Sequence, residues 1–127
     1  HDRMNNLLIP YTTKTPEIRF EANGHLLIKG ISIPENVNDF YPQVFLWMEE
    51  FGNNLTASII LTLEIDYMNT SSAKVILQLL KKAVTFSSPK TKLKLIWKYH
   101  EDEEDMRDLG EDLQAYVDFE FDFVKTK

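Results

Sequence analysis

The residues best placed to do chemistry lie in "LEIDYMNTSSAKVILQLLKKA", residues 63–83. Asn69 is followed there by three hydroxyl side chains in a row, Thr70, Ser71 and Ser72. Before them the apolar residues alternate, as on a strand. After Ala73 they recur every three to four residues, as on a helix. A helix start leaves backbone N–H groups without partners, and Asn69, Thr70 or Ser71 would each cap it, worth about 1 kcal/mol. One cap accounts for one side chain. The same helix end, with free N–H groups and the positive end of the dipole, also tolerates an anion. A phosphate formed on a hydroxyl there adds about −1.5 to −2 charge to the surface while leaving the helix intact. The extra hydroxyls therefore suit a covalent switch written by a kinase.

A second cluster is "HEDEEDM", where His100 is followed by Glu101, Asp102, Glu103, Glu104 and Asp105. Consecutive carboxylates at a helix start point in different directions, and acids favour the positive end of a helix without any ligand. The three histidines are far apart, there is no His-Glu-x-x-His pattern, and there is no cysteine. Gly24, Gly30, Gly52 and Gly110 form no phosphate loop. No metal, no cofactor and no catalytic set is expected. A small enzyme or ligand-binding protein working through the acidic 100–105 segment is the alternative.

Composition narrows the classes further. A net charge of −6 and a pI near 5.0 argue against a nucleic-acid partner, whose binding rests on Lys and Arg neutralising phosphates. The absence of cysteine excludes disulfides and thiolate zinc sites and suits a reducing cytoplasm. No apolar run approaches the roughly 20 residues that cross a bilayer, so no membrane is expected, and the N-terminus lacks a signal-peptide pattern. Residues 1–3 read as a cloning remnant ahead of a natural start at Met4, and 4–127 as one domain.

The elements that must position these residues follow from periodicity. Residues 4–16, polar and holding two prolines, read as an extended arm. "EIRFEANGHLLIKGI" predicts two strands joined by a two-residue Asn23-Gly24 turn with positive φ at both positions. A helix is predicted after Asn36 or Asn38, starting late or bending at Pro42 and ending at Gly52. Leu46 and Trp47 lie off its main apolar face, as core or as a partner-binding patch. Ile59, Leu61, Leu63, Ile65 and Tyr67 should share one face of the next strand, with Thr62, Glu64 and Asp66 on the other. A helix over about 70–86 places Ala73, Ile76, Leu77, Leu80 and Val84 together. "KLKLIWK" predicts a strand, 102–116 an acidic helix, and "DFEFDFV" a last strand. The fold class is α/β: a mixed sheet of about five strands in the order ββαβαβαβ, with helices mainly on one face. Glu64 and Asp66 would face Lys92, Lys94 and Lys98 across the open face.

This order, with hydroxyls at the start of the helix after the third strand, resembles the STAS domains of anti-sigma-factor antagonists. "YMNTSSAKVILQLL" is similar to the signature of the SiaC family of regulatory phosphoproteins. The resemblance extends to "IPYTTKTPEI", "IPENV", "LWMEEF", "WKYHEDEEDM" and "LGED". It implies a STAS-like, non-enzymatic, partner-switching protein with Thr70 as the phosphorylation site. It also implies a cognate protein kinase and a PP2C-type phosphatase acting on that residue. The unphosphorylated form would bind and activate a diguanylate cyclase, controlling cyclic di-GMP and biofilm formation. Docking would use the surface of Met68, Asn69, Thr70, Ser71 and Ser72. Alignment to the Asp-Ser-Ser-Gly pattern of STAS antagonists would instead make Ser71 the acceptor, with an anti-sigma-factor antagonist's type of partner.

Overall fold

Strand alternation, turn chemistry and two helix caps generate an α/β fold over the described residues, 4–127, of this computed structural model. The reading of residues 1–3 as a remnant lies outside them. The strands are β1 (Leu7–Ile9), β2 (Glu17–Phe20), β3 (His25–Ser32), β4 (Ser58–Met68), β5 (Lys92–His100) and β6 (Phe121–Thr126). The helices are α1 (Val37–Phe40), α2 (Pro42–Phe51), α3 (Thr70–Val84) and α4 (Glu104–Val117). All six strands form one sheet in sequence order, β1 to β3 antiparallel and β3 to β6 parallel.

The arm expected over 4–16 is a correction: its Leu7–Ile9 stretch is β1, paired with β2 and turning Leu7 and Ile9 to the core. A strand of three residues is too short for its alternation to stand out beside two prolines. The hairpin after β2 also differs from expectation. It closes a three-residue loop, with the Gly24 N–H on Glu21 O and the Glu21 N–H on His25 O, both at 2.9 Å. Gly24 alone of the turn pair has positive φ, 103°, the pattern of a type I turn followed by one left-handed residue. Glycine is doubly required there, because a Cβ would sit 2.3 Å from Ser58 O.

Asn36 caps α1 by accepting the Asn38 N–H at 2.9 Å. The helix then breaks at Tyr41, and Pro42 opens α2, where its missing N–H costs nothing. The three parallel crossovers step the same way along the sheet, so connections of one hand lay the helices on one face. Ile59, Leu61, Leu63 and Ile65 point into that layer, with Trp97 and Phe121 beyond them. Trp97 donates to Met106 O on α4 at 2.9 Å, packing where Gly110 offers no side chain. On the open face β4 lies beside β5 as expected, yet Lys94 pairs with Asp122 of β6 at 3.5 Å. Among the described residues no ion pair joins Glu64 or Asp66 to a lysine, and Glu64 instead sits opposite Lys29 of β3.

One irregularity changes the end of β4. Gly30 pairs with Ile65 and Ile31 with Tyr67, leaving Asp66 as an extra residue, a β-bulge. The alternation therefore reverses: Tyr67, expected in the core, is 58% exposed, and Met68 turns inward.

Candidate functional site

The parallel strands β3, β4 and β5 end at one edge of the sheet, and the helices that follow them begin there. This places the 69–72 segment, at the start of α3, on the same edge as the acidic 101–105 segment ahead of α4. β1 also ends here, because it runs in the same direction as β3. The loop after it carries the exposed Tyr11. Its Lys14 carbonyl accepts the Ile33 N–H at 2.8 Å.

Asn69 is extended, with φ −82° and ψ 173°, and its Oδ1 accepts the Ser72 N–H at 2.9 Å. Its carbonyl accepts the Ala73 N–H at 2.9 Å. Asn69 is thus the cap, and Thr70 and Ser71 are the first two helical residues. Both are exposed, and among the described residues neither hydroxyl has a protein hydrogen-bond partner. The first turn of α3 contains no acidic residue, while Lys81 and Lys82 occupy the last. The positive end of the dipole is left uncompensated by the helix itself beside two free hydroxyls.

Ser72 is different: it is fully buried. The buried stripe of α3 is Ser72, Ile76, Leu79, Leu80 and Ala83, turned slightly from the expected face, and that rotation carries Ser72 inside. Its Oγ accepts from Ser32 Oγ at 2.7 Å, and Ser32 Oγ lies 2.6 Å from the Tyr41 hydroxyl. Burial raises the Tyr41 pKa above its ordinary value, outweighing the opposite pull of its hydrogen bond with Ser32 and of the nearby Ser72 hydroxyl. Of the five residues assigned to docking, Met68 and Ser72 therefore offer no exposed side chain, while Asn69 is half-buried and Thr70 and Ser71 face solvent. Tyr67 joins them on the outside.

Among the described residues no group of three His, Asp or Glu side chains could hold a metal. His100 Nδ1 accepts the Asp102 N–H at 3.1 Å, which commits that nitrogen to the turn before α4. A hollow of about 640 Å³ between α4 and β6 is lined by Gln114, Asp118 and Phe121, away from Thr70. No helix of the described residues is long and apolar enough to cross a membrane. Trp47 is core, stacked 5.0 Å from Phe51 and donating to Asn5 O at 2.7 Å, whereas Leu46 is 72% exposed.

Sequence reasoning missed Ser32, Tyr41 and the outward turn of Tyr67. A glycine inside a strand, Gly30, was the available signal for the bulge. Nothing in the local pattern marked Ser32 or Tyr41, which lie 40 and 31 positions from Ser72.

Known proteins share this chain's family and fold. A family model described as "SiaC family regulatory phosphoprotein" matches residues 9–126. An uncharacterized protein of Pseudomonas aeruginosa strain UCBPP-PA14 is 34% identical over 122 residues, 93% of this chain and 94% of that one. The crystal structure of apo-SiaC from Pseudomonas aeruginosa is 31% identical with a TM-score of 0.73, covering 98% of this chain and all of that one. SiaC is also solved in complex with the diguanylate cyclase SiaD, whose activator it is, again from Pseudomonas aeruginosa. That match is 33% identical with a TM-score of 0.76, covering 94% of this chain and 97% of the other.

Proposed function

The chain belongs to the SiaC family of regulatory phosphoproteins, and from that premise we propose that it is a cytoplasmic partner-switching regulator controlled at Thr70. The unmodified protein docks on and activates a diguanylate cyclase, raising cyclic di-GMP and promoting biofilm formation. A cognate kinase phosphorylates Thr70 and releases the cyclase, and a PP2C-type phosphatase resets the switch. The protein acts by binding and carries out no chemistry of its own.

The observation that carries this reading is the division of labour at the start of α3. Asn69 does the capping, so the Thr70 hydroxyl is free for a kinase without cost to the helix. The docking surface is Asn69, Thr70 and Ser71, with Tyr67 as an aromatic neighbour. A phosphate enclosed in such an interface without a matching cation loses hydration worth several kcal/mol. Each 1.4 kcal/mol is tenfold in affinity.

The test is calorimetry of the purified cyclase from the same organism against three forms: unmodified, Thr70→Ala and stoichiometrically phosphorylated. Unmodified and Thr70→Ala protein should bind alike, and the phosphorylated form at least tenfold more weakly. Phosphopeptide mapping after kinase treatment should place the label on Thr70. An unchanged dissociation constant on phosphorylation, or a label confined to Ser71, would overturn the assignment.

A further inference from the structure

The third hydroxyl of the Thr-Ser-Ser run has a separate role. We infer that Ser32, Tyr41 and Ser72 form a buried positioning device that holds the acceptor turn and couples it to the corner between α1 and α2. Ser32 grips the turn at both ends. Its carbonyl accepts the Asn69 N–H at 3.1 Å, and its hydroxyl donates to Ser72 Oγ at 2.7 Å. Thr70 and Ser71 are the two residues between those grips. The Ser32 hydroxyl also meets Tyr41 OH at 2.6 Å. Ser32 and Ser72 are 0% exposed and Tyr41 2%.

A hydroxyl has one donor and two acceptor sites, and buried ones are costly when unpaired. Three of them in a chain are satisfied only while all three stay in register. Tyr41 is the residue at which α1 hands over to α2. Its N–H donates to Val37 O at 3.0 Å, and its carbonyl accepts from Val44 at 2.9 Å and Phe45 at 3.1 Å. A change that tilts the first turn of α3 therefore pulls on the α1–α2 corner. That corner becomes a second place where the state of Thr70 is displayed. This last step rests on Thr70 being the switch; the grip on the turn does not.

Hydrogen exchange of the full chain, followed amide by amide by NMR, tests it with neither kinase nor cyclase present. Tyr41→Phe, a change outside α3, should speed exchange at Ser72 and Ala73 about tenfold, while the Ile59–Ile65 amides of β4 keep their rates. Ser72→Ala should do the same at Val44 and Phe45. Thr70→Glu should alter protection at Val44 and Phe45, and the effect should vanish in Thr70→Glu/Tyr41→Phe. Unchanged rates at Ser72 and Ala73 in Tyr41→Phe, or a rise only in step with β4, would overturn the positioning device. Unaltered Val44 and Phe45 in Thr70→Glu would overturn the coupling. Local loosening in Tyr41→Phe together with no phosphate on Thr70 would support the positioning device and sink the switch reading alone.

Discussion

Alanine replacement across Asn69, Thr70, Ser71 and Ser72 should give a stability pattern that is high at the ends and flat in the middle. Asn69→Ala removes the acceptor 2.9 Å from the Ser72 N–H and should cost about 1 kcal/mol, the usual value of a lost cap. Thr70→Ala and Ser71→Ala remove exposed hydroxyls without protein partners, and alanine is the better helix former. Each should change stability by less than about 0.5 kcal/mol. Ser72→Ala takes the partner from a buried Ser32 hydroxyl and should cost about 1–3 kcal/mol. Urea unfolding followed by the fluorescence of the buried Trp47 and Trp97 reads these differences. With a slope near 2 kcal/mol per M, each 1 kcal/mol moves the midpoint by about 0.5 M. A Thr70→Ala cost equal to that of Asn69→Ala would mean that the Thr70 hydroxyl is committed to the cap. The claim that it is free for a kinase would then fail.

Three further outcomes are expected. Gly110→Ala would put a Cβ 2.5 Å from Trp97 Nε1. Overpacking should outweigh the roughly 1 kcal/mol gain in helix propensity for a net loss of about 1–2 kcal/mol in urea unfolding, and a stabilised variant would contradict the packing described. Trp47→Ala should cost about 3–5 kcal/mol and Leu46→Ala less than about 0.5 kcal/mol, since one is core and the other exposed. Burial holds the Tyr41 phenol above 10.0 in the fold. Its contribution is whole below the unfolded value and is lost as pH rises through the higher folded one. Tyr41→Phe should therefore flatten the decline of the urea midpoint above about pH 10, and an identical decline in both proteins would refute it.

The amino-acid sequence by itself determined the element order from β2 onward, because strand and helix periods differ and Gly24, Asn36 and Pro42 act on their own neighbours; β1, three residues long, drew its place from pairing with β2. The sequence placed the hydroxyl run at the strand-to-helix junction through the same difference in period. It left open which of Asn69, Thr70 and Ser71 caps the helix, since all three are chemically able to. The tertiary structure decided that in favour of Asn69. It also decided which hydroxyls are available, by turning the buried face of α3 toward Ser72 and supplying Ser32 and Tyr41 from distant elements as its partners. The bulge at Asp66 belongs to the same class: it exists because β4 must pair with β3 past Gly30, and it reverses Tyr67 and Met68 against the alternation of their own strand. Periodicity reports what a residue does within its element. Whether a hydroxyl faces water or a neighbouring hydroxyl depends on what packs over it, and residues far away in the chain provide that cover.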